Sequence, residues 1–154
     1  MQNFKKSKKY NILHIYNRGN RKELIGYDID DFYYLRNLFL FNLGYFRFDL
    51  LCFCIMPNHY HLLLIQKGNV SIGAVMQRIG SVYTKHINRK NGYCGHLFQG
   101  SYKHKVITHP NQLKIVYKYI LDNPKKAGLA AKQPWLVYNE FLTNYYLINF
   151  PKIT

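Results

Sequence analysis

Two pairs of side chains in this sequence have the types and spacing to do chemistry: His59 with His61, and Tyr119 with Asn123. The histidines lie in the segment 57–65 (PNHYHLLLI), at the start of an aliphatic run that is typical of a strand. Alternate residues of a strand share a face, so both imidazoles point the same way. Neutral imidazole is the commonest side-chain metal ligand. The pair either holds one divalent ion or consists of two ordinary half-buried histidines, and a second cluster is needed to decide.

That second cluster is expected on a helix that begins at Pro110 and ends near Asp122, where Pro124 stops it. One apolar stripe forms its core side: Leu113, Val116, Tyr117, Ile120 and Leu121. Tyr119 and Asn123 share a face roughly 90–130° from the centre of that stripe, so packing does not account for both. A phenol and an amide set against two imidazoles would provide a nucleophile and a third metal ligand. A mixed nitrogen and oxygen shell suits Mg²⁺ or Mn²⁺.

The elements that must position these side chains follow from apolar periodicity and turn residues. They are predicted as a strand at 10–16, a helix at 32–41 stopped at Gly44, a strand at 45–56, the histidine strand, a helix from Ser71 to about Asn91, and a strand at 102–107. The order βαββαβ indicates an α+β, ferredoxin-like antiparallel sheet, with the tyrosine helix as a C-terminal addition. We expect one domain over 1–154, with a core at about 10–129 and a tail at 130–154 that has no pattern we can interpret.

The charge balance points to a polyanionic partner. The chain has 22 Lys and Arg against 7 Asp and Glu, a formal net charge of +15. Nucleic acid is the first candidate and an anionic membrane surface the second. The longest apolar run, 50–56, is far below the roughly 20 residues that span a bilayer, and no signal-type stretch follows the N-terminus. We therefore expect a cytosolic protein. Its three cysteines do not indicate a disulfide framework.

Several segments resemble one protein family. Segment 57–63 resembles the HUH motif (His, hydrophobic, His), and 119–124 (YILDNP) resembles the tyrosine-helix motif of single-tyrosine HUH transposases. Three further segments resemble the REP-associated tyrosine transposase branch: 16–20 (YNRGN), 95–100 (GHLFQG) and 123–129 (NPKKAGL). Asn123 also matches that branch, since the insertion-sequence relatives have Gln there. The similarity runs in order over about 10–129.

The resemblance implies DNA transposition by cleavage and rejoining of single-stranded, hairpin-forming DNA through a 5′-phosphotyrosine. Tyr119 would be the nucleophile, and His59, His61 and Asn123 would hold one Mg²⁺ or Mn²⁺. A set of basic residues would contact the DNA backbone, or else form ordinary solvated surface: Arg18, Lys85, Arg89, Lys103, Lys105, Lys125 and Lys126.

The sequence departs from the family pattern at two places. Ser101 stands where the family usually has Arg, and 135–137 (WLV) replaces a common Trp-Ser-Ser element. A domesticated, non-cleaving hairpin-binding protein is therefore the alternative function, and a metal-dependent hydrolytic nuclease is a third. The insertion-sequence relatives are typically dimers that share active sites between chains, whereas the REP-associated branch is monomeric, and the sequence leaves this open.

Overall fold

The computed structural model describes residues 10–129 and 134–151. Its strands and helices, in chain order, are β1 (Asn11–Arg18), α1 (Ile29–Tyr45), β2 (Phe48–Met56), β3 (His59–Gln66), α2 (Ile72–Asn91), β4 (Lys103–Ile107), α3 (Pro110–Lys126), β5 (Leu136–Tyr138) and α4 (Glu140–Ile148). A short 3₁₀ turn, Asn20–Lys22, follows β1. None of the helices in these described stretches is long and apolar enough to cross a membrane.

The strands form one antiparallel sheet in the order β4-β1-β3-β2-β5. The first four strands have the ferredoxin-like arrangement, so the predicted α+β fold with a C-terminal tyrosine helix is confirmed. Strand β3 is central and pairs with β1 over residues 11–18 and with β2 in a hairpin. The histidines therefore lie on a strand that is held on both sides.

Side-chain alternation divides the core into two layers, one on each face of the sheet. Leu13, Ile15 and Leu62 pack against α1 and α2, and Tyr83 of α2 is fully buried in this layer. Ile12 and Leu63 pack on the opposite face against α3 and α4. On α3 the predicted core stripe is confirmed, because Leu113 and Ile120 are fully buried and the other three members pack beside them.

Two predicted helix ends were wrong. Helix α1 continues through Gly44 to Tyr45, and the chain reverses at Arg47, whose left-handed backbone (φ 63°) starts β2 at Phe48. Helix α3 continues through Pro124 to Lys126. A proline there removes only one backbone hydrogen bond in the last turn, and its ring is buried. Asn123 therefore stays on the same helix as Tyr119, one turn later.

The tail, in which no sequence pattern was interpretable, contains β5 and α4. Strand β5 adds to the free edge of β2, where Cys52 pairs with Tyr138 and Cys54 with Leu136. Asn139 caps α4, accepting a hydrogen bond from the N–H of Leu142. The Tyr146 hydroxyl donates to Asp49 at 2.7 Å, which fastens α4 to β2. The tail thus closes one edge of the sheet.

Candidate active site

The centre of the site is an aromatic cluster on the face of the sheet that also packs against α3. Tyr16 lies directly opposite His61 in the β1–β3 ladder, and His14 lies diagonally across from it on the same face. The ring centroids of His59 and His61 are 5.3 Å apart, those of His14 and His61 are 5.2 Å apart, and those of Tyr16 and His61 are 5.9 Å apart. The two predicted histidines are thus neighbours, as their spacing indicates.

Tyr119 of α3 completes this cluster. Its ring stands edge-on to His61, with centroids 5.3 Å apart at 85°, and 45% of the residue is exposed. It is therefore accessible, in contrast to Tyr83, which is fully buried and donates a hydrogen bond to the carbonyl of Ile25. One chain supplies both the phenol and the imidazoles.

These side chains open into a cavity of about 630 Å³. Its walls combine the histidine pair, two tyrosines, amides and cations: Tyr16, Asn17, Arg18, Lys22, Asn58, His59, His61, Gln99, Gly100, Ser101, Lys103 and Tyr119. Three of these residues are basic, whereas none is acidic. An anionic ligand therefore fits the cavity electrostatically.

Each imidazole of the pair uses its Nδ1 in a hydrogen bond. Nδ1 of His59 is 2.7 Å from Oδ1 of Asn58, and Nδ1 of His61 is 3.0 Å from Nε2 of His14. The amide nitrogen of Asn58 in turn donates to the carbonyl of Lys22 at 3.4 Å, which orients the Asn58 oxygen towards His59. In the part of the chain that the structure describes, Nε2 of both rings has no hydrogen-bond partner and is open to a ligand. Asn58 and His14 were not singled out from the sequence.

Burial keeps these imidazoles neutral at pH 7. It lowers the pKa of His59, and it lowers the pKa of His61 to about 3 with further contributions from the adjacent His14 and His59. Burial followed by the charge of Lys105 lowers the pKa of His14 to about 4. A metal ion requires deprotonated imidazole ligands, so no proton has to be displaced for binding at neutral pH.

Asn123 lies on α3 one turn after Tyr119 and is not among the residues that line the cavity. Its side-chain nitrogen is buried and has no hydrogen-bond partner among the described residues. Because a half-turn of an amide exchanges its nitrogen and oxygen, that position is also open to the oxygen. Within residues 10–129 and 134–151, no group of three or more His, Cys, Asp or Glu is arranged to hold a metal. An amide oxygen would extend the two imidazoles to a mixed nitrogen and oxygen ligand set.

The wall beside the histidines is built from two of the motif segments. Gly19 bridges to Phe98, the Asn17 side chain donates to the carbonyl of Gly100 at 3.1 Å, and the Arg18 side chain donates to Gln99. A Cβ on Gly19 would lie 2.0 Å from the carbonyl oxygen of Glu23, so this position requires glycine. The segments 16–20 and 95–100 therefore form one structural unit.

The family model for IS200-like transposases matches residues 6–123 of the chain. The chain belongs to the IS200-like transposase family.

Solved structures match this transposase in fold. A REP-associated tyrosine transposase bound to a REP hairpin superposes with a TM-score of 0.65 at 16% identity, covering 88% of this chain and 82% of that chain. A transposase candidate from Deinococcus radiodurans R1 superposes with a TM-score of 0.52 at 18% identity, covering 78% and 95%. No curated protein sequence matches the chain significantly.

The predicted DNA contacts of the transposase fall on several surfaces. Arg18 and Lys103 line the cavity, and Lys105 lies across from His14 on the edge strand β4. Lys125 and Lys126 are exposed in the last turn of α3.

Lys85 and Arg89 are not brought to the cavity, because α2 packs on the other face of the sheet. There they line an open groove of about 370 Å³ together with Tyr34, Val82, His86 and Lys90.

Sequence reasoning missed Tyr16, Asn58 and Lys22 of the cavity lining, and also His14, which contacts His61. Strand alternation does place His14 and Tyr16 on one face of β1. It does not reveal that this face adjoins His61, since that depends on the register between two distant strands. Lys22 has a left-handed backbone (φ 61°) and lines the cavity. Ser101 also lines the cavity.

Proposed function

We propose that this transposase cleaves and rejoins single-stranded DNA by transesterification, with Tyr119 as the nucleophile. The observation that supports this best is the position of Tyr119 against His61, at the mouth of a basic cavity formed by the same chain. An exposed phenol beside two neutral imidazoles is an arrangement for phosphoryl transfer, since the nucleophile and the ligands face one space.

The reaction exchanges one phosphodiester for another. The Tyr119 oxygen attacks the phosphorus and loses its proton, so that a Tyr–O–P bond forms. The bond from phosphorus to the 3′ oxygen breaks, and that oxygen takes up a proton to become a free 3′-OH. The products are a 5′-phosphotyrosine and a 3′ end. Because no water is consumed, a 3′-OH reverses the step without an energy source.

One divalent ion, Mg²⁺ or Mn²⁺, is part of the proposal, bound by His59, His61 and the amide of Asn123. When bound, it supplies Lewis acidity that polarises the scissile phosphate and offsets charge at phosphorus. Among residues 10–129 and 134–151, Nε2 of neither histidine has a hydrogen-bond partner, and the buried side-chain nitrogen of Asn123 has none either.

The substrate proposed is a single strand that forms a hairpin. The charge of +15 and the basic lining of the cavity favour a nucleic acid, and a structural relative of this fold is bound to a REP hairpin. Arg18, Lys22 and Lys103 would contact phosphates near the scissile bond. Further phosphates along the same side of the sheet would be contacted by Lys105, Lys125 and Lys126.

The test is a denaturing gel of protein incubated with labelled single-stranded hairpin DNA and Mn²⁺, over a panel of flanking sequences. The cavity holds two tyrosines, so Tyr16→Phe is the matched control for Tyr119→Phe. We expect a shifted band that needs the metal, resists denaturant, persists in Tyr16→Phe and is absent in Tyr119→Phe.

Two other results would contradict the proposal. Tight binding without an adduct on any substrate would favour the non-cleaving hairpin-binding protein, for which Ser101 in the cavity wall is the structural argument. Metal-dependent cutting that survives Tyr119→Phe would indicate a hydrolase.

A further inference from the structure

His14 has a polar contact that the fold alone does not require. It lies on β1 with 9% of its surface exposed, two residues from the fully buried Ile12 on the same face. Packing at such a position is served equally well by an aliphatic side chain, which carries no cost of burying a polar group. The one hydrogen bond of its ring within the described residues joins Nε2 to Nδ1 of His61 at 3.0 Å.

Two neutral imidazoles can share one proton across this contact in two ways. If His14 donates, Nε2 of His61 carries the other ring proton and has no lone pair for a metal. If His61 donates from Nδ1, its Nε2 keeps a free lone pair. The direction of this one hydrogen bond therefore determines whether His61 is able to be a ligand.

The neighbouring ring shows the same arrangement, and the contact of the Asn58 amide nitrogen with the carbonyl of Lys22 sets its direction. The side-chain oxygen of Asn58 is only an acceptor, so Nδ1 of His59 must donate to it over the 2.7 Å contact. His59 thus presents Nε2. Both imidazoles present the same nitrogen to one ion only if His61 also donates from Nδ1.

We propose that His14 is a positioning residue: its Nε2 accepts the Nδ1 proton of His61 and holds His61 in the tautomer whose Nε2 has a free lone pair. This inference rests on the proposed function, in which His61 is a metal ligand. Metal-bound histidines usually donate their second nitrogen to a carboxylate, a carbonyl or water, and here an imidazole takes that place. His14 then carries its own proton on Nδ1.

The direct test is the tautomer of His61 in the metal-free protein. Long-range ¹H–¹⁵N correlation spectra of the histidine rings report which nitrogen is protonated, and a His61→Gln variant identifies the His61 signals. We expect the Nδ1–H tautomer in the wild type and in His14→Gln, whose amide oxygen still accepts. His14→Leu removes the acceptor and should release His61 to the Nε2–H form. The Nε2–H tautomer in the wild type would overturn the proposal.

The second readout is Mn²⁺ affinity, measured from free Mn²⁺ by electron paramagnetic resonance. Loss of an outer hydrogen-bond partner typically weakens metal binding by about ten- to a hundredfold, which we expect for His14→Leu. His14→Gln should stay within about threefold of the wild type. Ile12→Val, on the same face of β1, is the matched control for core packing, and thermal melts verify folding. If His14→Leu does not fold, the wild-type tautomer and His14→Gln still decide.

The two proposals fail in different ways. If the wild type binds no Mn²⁺, or His61→Ala binds it as tightly as the wild type, the metal site of the proposed function is wrong. If His61→Ala abolishes binding but His14→Leu binds as tightly as Ile12→Val, the role of His14 is wrong and the metal site stands.

Discussion

Tyr119 and His61 of one chain face each other edge-on, with ring centroids 5.3 Å apart. The helix that carries the tyrosine packs on the sheet that carries the histidines, through Leu113 and Ile120. The proposed nucleophile and both proposed imidazole ligands are therefore brought together within one chain.

The first prediction concerns this cis arrangement. Tyr119→Phe and His61→Ala should each abolish the covalent DNA adduct, and a mixture of the two should remain inactive because neither chain has a complete site. Adduct formation by the mixture, measured on the same denaturing gel, would mean that the helix is exchanged between chains. A mixture of Tyr119→Phe with wild type serves as the positive control.

The second prediction concerns the histidine pair. His59→Ala and His61→Ala should lose both Mn²⁺ binding and adduct formation, because each removes one of only two imidazole ligands. His104→Ala is the matched control, since His104 is exposed on β4 and does not line the cavity. Titration calorimetry with Mn²⁺ measures the affinity. Full binding by either cavity variant would exclude that histidine as a ligand.

The third prediction concerns DNA affinity. Lys103 lines the cavity, whereas Lys114 is exposed on α3 outside it. Each phosphate contact to single-stranded DNA contributes about 0.7 to the slope of log affinity against log salt. Lys103→Ala should reduce that slope by about 0.7, and Lys114→Ala should leave it unchanged. Fluorescence anisotropy over a salt series measures both, and equal slopes for the two variants would remove Lys103 from the interface.

The fourth prediction concerns Ser101, where a cation can be added to the cavity wall instead of removed. Its side chain lines the cavity, so Ser101→Arg adds a cation beside the proposed phosphate path. The salt slope should then rise by about 0.7 and binding should tighten at low salt. Ser101→Gln, of similar length without charge, is the control. An unchanged slope would show that the phosphate does not pass this wall.

The fifth prediction concerns acid stability. Burial of Asp31 alone would raise the pKa of its carboxyl, but hydrogen bonds from Lys90, the N–H of Tyr27 and His86 offset this and hold it below its usual value. A carboxyl with a lowered pKa stabilises the fold above its unfolded pKa of about 3.9, and this contribution is lost as the pH falls through the folded value.

Asp31→Asn should therefore cost about 2–3 kcal/mol of unfolding free energy at pH 7, because it removes the buried carboxylate that accepts hydrogen bonds from Lys90, His86 and the N–H of Tyr27. The difference from the wild type should shrink below about pH 4. Urea unfolding at several pH values measures this. Asp30→Asn, an exposed neighbour without such bonds, is the control. A constant difference at all pH values would mean that the Asp31 charge contributes nothing.

The chemistry-bearing pairs were readable from the sequence because their geometry is local. Alternation on one strand sets His59 beside His61, and one helical turn sets Tyr119 beside Asn123. The contact of His14 with His61 was not readable, because it depends on a register between segments 47 residues apart. Strand β5 was missed for a similar reason: it has three residues, and pairing with the edge of β2 defines it.

Strand β4 is the exposed edge of the sheet, five residues long, with its first four side chains exposed. An open edge is a template on which a second chain can add by backbone pairing, and lysines on such a strand oppose this by charge repulsion and hydration. Lys103 and Lys105 thus protect the isolated protein from self-association. Replacement of these two lysines by apolar residues would therefore carry a cost in solubility.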